Sequence, residues 1–322
     1  MYRISRRELF KWSVAALPAA RAMAQQEPTF SSGVNVVSVQ VTARDNQGQI
    51  VRDLRRDEFI VEENGKPQAI RYFAQRDDLP LTLGLLVDIS GSQRDLIAAQ
   101  KQASLKFLNQ VMREGTDHAF VVGFDRQVDL VQNLTSSRSE LQDGLAKLAT
   151  YRDPNGHLSR RAEGTSLYGA IFVSASEIMN RQEGRKALII ITDGVDTSSA
   201  KSLSAAISEC QRADTLAYGI RAFNEQVFEL PLPAELPKPV TLPDGRKTLT
   251  RISRETGAAY FELAGGLELE KAFATIEEEL RNQYSLGYTP VIKEKPGFRK
   301  IRVSVKRKGI TVRARDGYYA GG

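Results

Sequence analysis

The chain has 322 residues, of which 41% are hydrophobic and 26% charged, with a formal net charge of +6. This composition excludes a disordered or collagen-like chain and supplies enough apolar material for a core, and the length allows two domains. The single cysteine, Cys210, excludes an internal disulfide; in a helical segment it reads as a core residue.

Residues 1–24 read as an export signal. Ser5-Arg6-Arg7-Glu8-Leu9-Phe10-Lys11 is basic, residues 12–20 are mostly apolar, and Ala22-Met23-Ala24 offers a small-residue cleavage site. The apolar stretch is too short to span a bilayer, and no later segment is long and apolar enough. Arg3, Arg6, Arg7, Lys11 and Arg21 stand against Glu8, so this segment carries +4 of the net +6 and leaves +2. Global basicity is therefore no argument for nucleic acid.

Residues 25–32 look like a tail. Val37, Val39, Val41 and Ala43 then alternate with polar residues, the period of a half-buried strand. Asp45-Asn46-Gln47-Gly48 is a turn cluster. Phe59 and Val61 open a further strand, Asn64-Gly65 signals a hairpin, and Ile70 and Tyr72 resume the alternation. Residues 33–78 thus predict a small antiparallel β unit. Strands follow at 82–87, 119–124, 128–132, 187–192, 215–221 and 259–262. They alternate with helices at 95–113, 139–149, 166–180, 203–212, 247–255 and 268–282. This alternation predicts an α/β fold, a doubly wound and mostly parallel sheet, over residues 81–282. The short gap Asp125-Arg126-Gln127 makes the third strand of that series an antiparallel edge partner. Over residues 283–319 the period returns to two: Tyr284, Leu286, Tyr288, then Ile301, Val303, Val305, then, past the basic turn Arg307-Lys308-Gly309, Ile310, Val312 and Ala314. Isolated hairpins are marginal in water. The two flanks are expected to form one small β-sandwich with the α/β domain inserted between them.

The chemistry sits at the ends of two apolar runs. The run at 81–87 stops at Asp88-Ile89-Ser90-Gly91-Ser92, one carboxylate and two hydroxyls. Such a cluster caps a helix or begins the oxygen shell of a hard divalent cation. Gly164-Thr165-Ser166 adds a hydroxyl at a loop-to-helix junction, and the run at 187–191 ends in Thr192-Asp193-Gly194. Thr165 alone fits an N-cap and Asp193 alone a βα turn; together, at strand ends, they favour a metal. Open α/β sheets bind ligands beyond the carboxyl ends of strands where strand order reverses. That geometry would join Asp88 and Asp193 across 105 positions of sequence.

Taken in this order, these three segments resemble the von Willebrand factor A family and its metal-ion-dependent adhesion site. The resemblance covers roughly residues 81–284. It implies Mg²⁺ as the cation, with Mn²⁺ or Ca²⁺ as competitors. It implies Ser90 and Ser92 as direct ligands, Thr165 as a direct or water-mediated one, and Asp88 and Asp193 acting through waters or directly. It further implies a non-catalytic binding module whose protein partner supplies a carboxylate to the ion. An accessory or assembly subunit of an envelope enzyme complex is the alternative. Asp57-Glu58-Phe59 to Asn64-Gly65-Lys66-Pro67 and Gln283-Tyr284-Ser285-Leu286-Gly287-Tyr288 resemble the flanks of exported bacterial A-domain proteins. The paired arginines with Leu9 and Lys11 resemble a twin-arginine signal, which implies a periplasmic or extracellular location.

Other features are read more plainly. His118 and His157 adjoin no nucleophile motif, and no zinc spacing, phosphate loop or dinucleotide fingerprint stands out. Asp95 and Asp196 read as helix caps or solvent-facing residues. The prolines between 223 and 246 predict a stiff loop, either part of a binding rim or a surface insertion. Residues 293–316 hold ten Lys or Arg against two acidic residues. They read as a solvated face that guards edge strands, with weak contact to anionic envelope polymers as a lesser reading. No aromatics interleave there for base stacking.

Overall fold

The computed structural model describes residues 36–75, 79–148, 164–222, 244–263, 266–290 and 296–320. The expected export signal, the tail, His157 and all but the end of the proline-rich segment lie outside the described residues.

The central sheet is built from β5 (Leu81–Asp88), β6 (His118–Phe124), β7 (Val128–Thr135), β8 (Arg185–Thr192), β9 (Leu216–Ala222) and β10 (Tyr260–Leu263), in the order β10-β9-β8-β5-β6-β7. All its neighbours are parallel except β7, the antiparallel edge. Every residue of β5 is buried, as expected of a strand covered on both faces. Helices α1 (Ile97–Val111), α2 (Arg138–Lys147) and α6 (Gly266–Arg281) close one face around Leu83, Leu85 and Val87. There Phe107 stacks on Phe273 with 4.5 Å between ring centroids. Helices α3 (Leu167–Val173), α4 (Leu203–Arg212) and α5 (Gly245–Thr256) close the other around Leu86, Phe120 and Ile190. Each such fully buried side chain contributes about 1.5–3 kcal/mol. Gly84 is required in this packing, because a Cβ would lie 2.4 Å from the Phe120 ring.

The remaining strands are β1 (Val37–Arg44), β2 (Phe59–Glu63), β3 (Lys66–Gln68), β4 (Ile70–Gln75), β11 (Tyr284–Tyr288), β12 (Gly297–Val305), β13 (Thr311–Arg313) and β14 (Gly317–Ala320). They form two antiparallel sheets, β13-β1-β11-β4 and β14-β12-β2-β3, each mixing strands from both flanks. Val39 pairs with Leu286 and Val61 with Val303. The sheets share one apolar core that includes Val39, Val41, Phe59, Tyr284, Leu286 and Ile301. The Asn64-Gly65 turn has positive φ at both residues, 50° and 77°, as a tight hairpin requires.

Three expectations need correction. The helix expected over 166–180 stops as an α-helix at Val173 and continues as a π turn, Ser174–Ile178, and a 3-10 turn, Met179–Arg181. The strand expected at 128–132 runs on to Thr135 through two irregularities of register. The strands either side of Arg307-Lys308-Gly309 are not hairpin partners: β12 pairs with β2 and β14, while β13 crosses to pair with β1. The turn therefore links the two sheets.

The seam between sandwich and α/β domain is charged and closed. Glu279 of α6 is 1% exposed and accepts from Arg44 and Arg313 at 2.9 Å each. Arg185 donates to the Leu280 carbonyl at 2.6 Å. Asp117 is wholly buried and meets Arg113 at 3.0 Å and Arg281 at 2.6 Å. Burial alone would raise the Asp117 pKa, but hydrogen bonds from Arg113 and Arg281, with the backbone N–H groups of Arg113 and Leu81, outweigh it and hold it at about 2.

Candidate functional site

Strand order reverses between β5 and β8, which lie side by side with Val87 opposite Ile191. The loops leaving them diverge to opposite faces, so a crevice opens at their carboxyl ends. Asp88 is the last residue of β5 and Asp193 the first beyond β8.

Four of the five residues expected from sequence form one hydrogen-bonded string here. Asp88, 0% exposed, accepts the Ser90 N–H at 2.9 Å on Oδ1 and the Thr192 hydroxyl at 2.6 Å on Oδ2. The Ser90 and Ser92 hydroxyls share a bond of 3.2 Å. Ser92 Oγ donates to Asp193 Oδ2 at 2.9 Å, and Asp193 Oδ1 accepts the Val195 N–H at 2.9 Å. Gly194 turns this loop with φ 86°, and a Cβ on it would lie 2.4 Å from the Gly245 carbonyl. The N-terminus of α5 therefore abuts the Asp193 loop.

The fifth residue, Thr165, is buried on the adjoining loop. Its N–H donates to Thr197 Oγ1 at 2.9 Å, and its carbonyl accepts from the N–H groups of Thr197 and Ser198. Ser166 N–H donates to the Asp125 carbonyl at the end of β6, 2.6 Å away. The loops after β6, after β8 and before α3 are thus laced together beside the string. Asp196 caps α3 by accepting the Tyr168 N–H at 2.8 Å, and Asp95 is exposed, as expected for both.

The electrostatics are unbalanced. Burial first, and then the neighbouring charge of Asp193, push the Asp88 carboxyl up to about 7, against hydrogen bonds from Ser90 and Thr192. Among the described residues no ion pair to either side-chain carboxylate is seen; Arg221 Nε donates to the Asp193 carbonyl at 3.2 Å, and its NH1 pairs with Glu262. All five candidate donors are oxygens, the set a hard cation prefers. Among the described residues no three His, Cys, Asp or Glu side chains are grouped so as to hold a metal ion, so a cation here would rest on two carboxylates and hydroxyls.

Sequence reading missed Thr192, Gln93 and Arg221. Thr192 stood in plain view, one residue before Asp193, as the hydroxyl ending an otherwise aliphatic strand. Gln93 carried no local signal.

A doubly wound sheet with its polar string at the switch point defines a class of α/β domain. Residues 83–195 match the family model for the von Willebrand factor type A domain, and the chain contains such a domain there. All five candidate residues fall within that span. No curated protein matches the chain. Among solved structures, an aerotolerance-related membrane protein from Bacteroides fragilis is similar at 17% identity and TM-score 0.46, over 62% of this chain and 98% of that one. A von Willebrand factor type A protein from Catenulispora acidiphila is similar at 13% identity and TM-score 0.47, over 90% of this chain and 75% of that one. Proximal thread matrix protein 1 of the mussel byssus, described with a zinc-occupied MIDAS motif, is similar at 13% identity and TM-score 0.48, over 68% of this chain and 49% of that one. No helix among the described residues is long and apolar enough to cross a membrane.

Proposed function

We propose that this protein is an exported, non-catalytic binding module that captures a protein partner through a divalent cation. Asp88, Ser90, Ser92, Thr165 and Asp193 would hold Mg²⁺, or Mn²⁺ or Ca²⁺ in its place. The carrying observation is the pairing of two carboxylates, Asp88 and Asp193, with no ion pair to either among the described residues, around the hydroxyls of Ser90 and Ser92. Like charges held this close repel, and a cation between them removes the conflict. Neutral hydroxyls leave such an ion with positive charge to spare, which an acidic side chain of a partner would satisfy. Both Asp88 oxygens already accept protein donors, so its role is to balance charge from behind the ion.

In this reading residues 81–282 are the binding domain, residues 33–78 and 283–319 its β support, and residues 1–24 a twin-arginine signal directing it to the periplasm or beyond.

Calorimetry on the mature chain tests this reading. Uptake of Mg²⁺ or Mn²⁺ is expected, strengthened by an acidic peptide, abolished by chelator and lost in Asp88→Ala. No uptake of either ion, with or without peptide, overturns it.

A further inference from the structure

Gln93 follows Ser92 directly and is 0% exposed. Its Nε2 donates to the Ala222 carbonyl at the end of β9, 3.0 Å away, and its Oε1 accepts from Gln100 Nε2 at 2.9 Å. Gln100, on α1, is 2% exposed. Gln100 Oε1 and the Ser104 hydroxyl, one turn further along α1, are buried with no hydrogen-bond partner. A polar chain thus runs from the end of β9, under the turn that carries Ser90 and Ser92, into a helix face otherwise made of Ala103, Phe107, Leu108 and Val111. Core packing alone does not call for it, since burying amides with unfilled hydrogen-bonding capacity opposes folding.

Arg221, one residue before Ala222, makes a tie to the other side of the crevice. Arg221 Nε donates to the Asp193 carbonyl at 3.2 Å, and its NH1 meets Glu262 at 2.7 Å. Ser92 and Asp193 lie on loops from different strands, and each loop is tied to β9, one at Ala222 and the other at Arg221. The last dipeptide of β9 is therefore a common reference for both sides of the crevice.

We infer that Gln93 is a positioning residue: by hooking the Ser90–Ser92 turn to β9 it sets that turn's place opposite Asp193. The inference rests on the proposed cation site for its functional meaning and on hydrogen-bond geometry for its structural meaning. Gln93→Met keeps volume but leaves Gln100 Nε2 orphaned. The double variant Gln93→Met/Gln100→Met removes both amides of the Gln93–Gln100 bond together, so that what it leaves without a donor is the Ala222 carbonyl, the tie under test.

The full mature chain is measured in two ways. Without metal, amide exchange over residues 90–96 is expected to quicken about tenfold in the double variant while β5 and β8 exchange as before. With Mn²⁺, the dissociation constant is expected to rise about tenfold, with an altered paramagnetic resonance spectrum of the bound ion. Unchanged exchange over 90–96 overturns the inference, as does uniform quickening across the core, which marks a merely structural residue. If the wild-type chain takes up no Mn²⁺, the proposed function fails, and the metal-free exchange still decides whether Gln93 positions the turn.

Discussion

The two ends of the central sheet bury carboxylates in opposite ways. At the seam with the sandwich Glu279 is held by Arg44 and Arg313, and at the start of β6, within the α/β domain, Asp117 is held by Arg113 and Arg281. Inside the sandwich, Glu63 is likewise matched by Arg299 at 2.9 Å and accepts the hydroxyls of Tyr288 and Tyr318. At the switch point Asp88 and Asp193 are held by hydroxyls and backbone N–H groups, with no guanidinium paired to either side chain among the described residues. The carboxylates of the seam are matched by guanidinium groups, whereas those of the crevice are not matched among the described residues. Buried carboxylates are stable when paired and costly when they are not, so the same residue type supports the fold at one end and, at the other, supplies the attraction for a cation on which the proposed function rests.

The largest effect should come from breaking the complete end. Glu279→Leu leaves Arg44 and Arg313 facing an apolar side chain, and both are mostly buried. A loss of about 3 kcal/mol is expected, read from the urea midpoint at neutral pH with the slope unchanged. A loss below about 1 kcal/mol would make the seam an ordinary surface contact and erase the contrast.

This contrast also explains what the sequence disclosed. Asp88, Ser90, Ser92 and Asp193 were legible because apolar runs announce buried strands and polar residues interrupt them abruptly. The mostly parallel α/β class followed from alternating periods, and the rule that such sheets bind ligands at a switch point brought those strand ends together. The seam was not legible: Arg44, Arg313 and Glu279 come from three separate segments and look like surface charges one at a time. Gln93 was hidden for the same reason, since its partner Ala222 is 129 positions away. The crossing of β13 to β1 was missed because period two shows which residues face a core but not which strand they pair with.

A middle-sized effect is expected from acid. The folded pKa of Asp117, about 2, lies below its ordinary value of 3.8. Its contribution is therefore fully present above pH 3.8 and is lost as pH falls toward 2. About 2 kcal/mol should disappear across that window. Denaturant midpoints of the wild type and Asp117→Asn should differ at pH 5 and converge near pH 2. A constant gap would show that the Arg113 and Arg281 pairs do not favour the charged form.

The smallest effect, and the sharpest, is one of sign. Asp193→Asn keeps an oxygen for the Val195 N–H and turns an amide toward Ser92, whose hydroxyl then accepts instead of donating. It removes one of two charges that oppose each other at the crevice. In chelator the variant should therefore be more stable than the wild type, by about 1 kcal/mol at neutral pH, whereas neutralising Glu279 destabilises. Saturating Mg²⁺ should invert the order, because the wild type gains about 2.7 kcal/mol at one hundred times its dissociation constant and the variant gains little. Thermal unfolding of both chains, with Mg²⁺ and with chelator, reads the sign directly. Were Asp193→Asn to destabilise the metal-free chain as much as Glu279→Leu does, the crevice would be another complete ion cluster and the charge it was thought to lack would already be present.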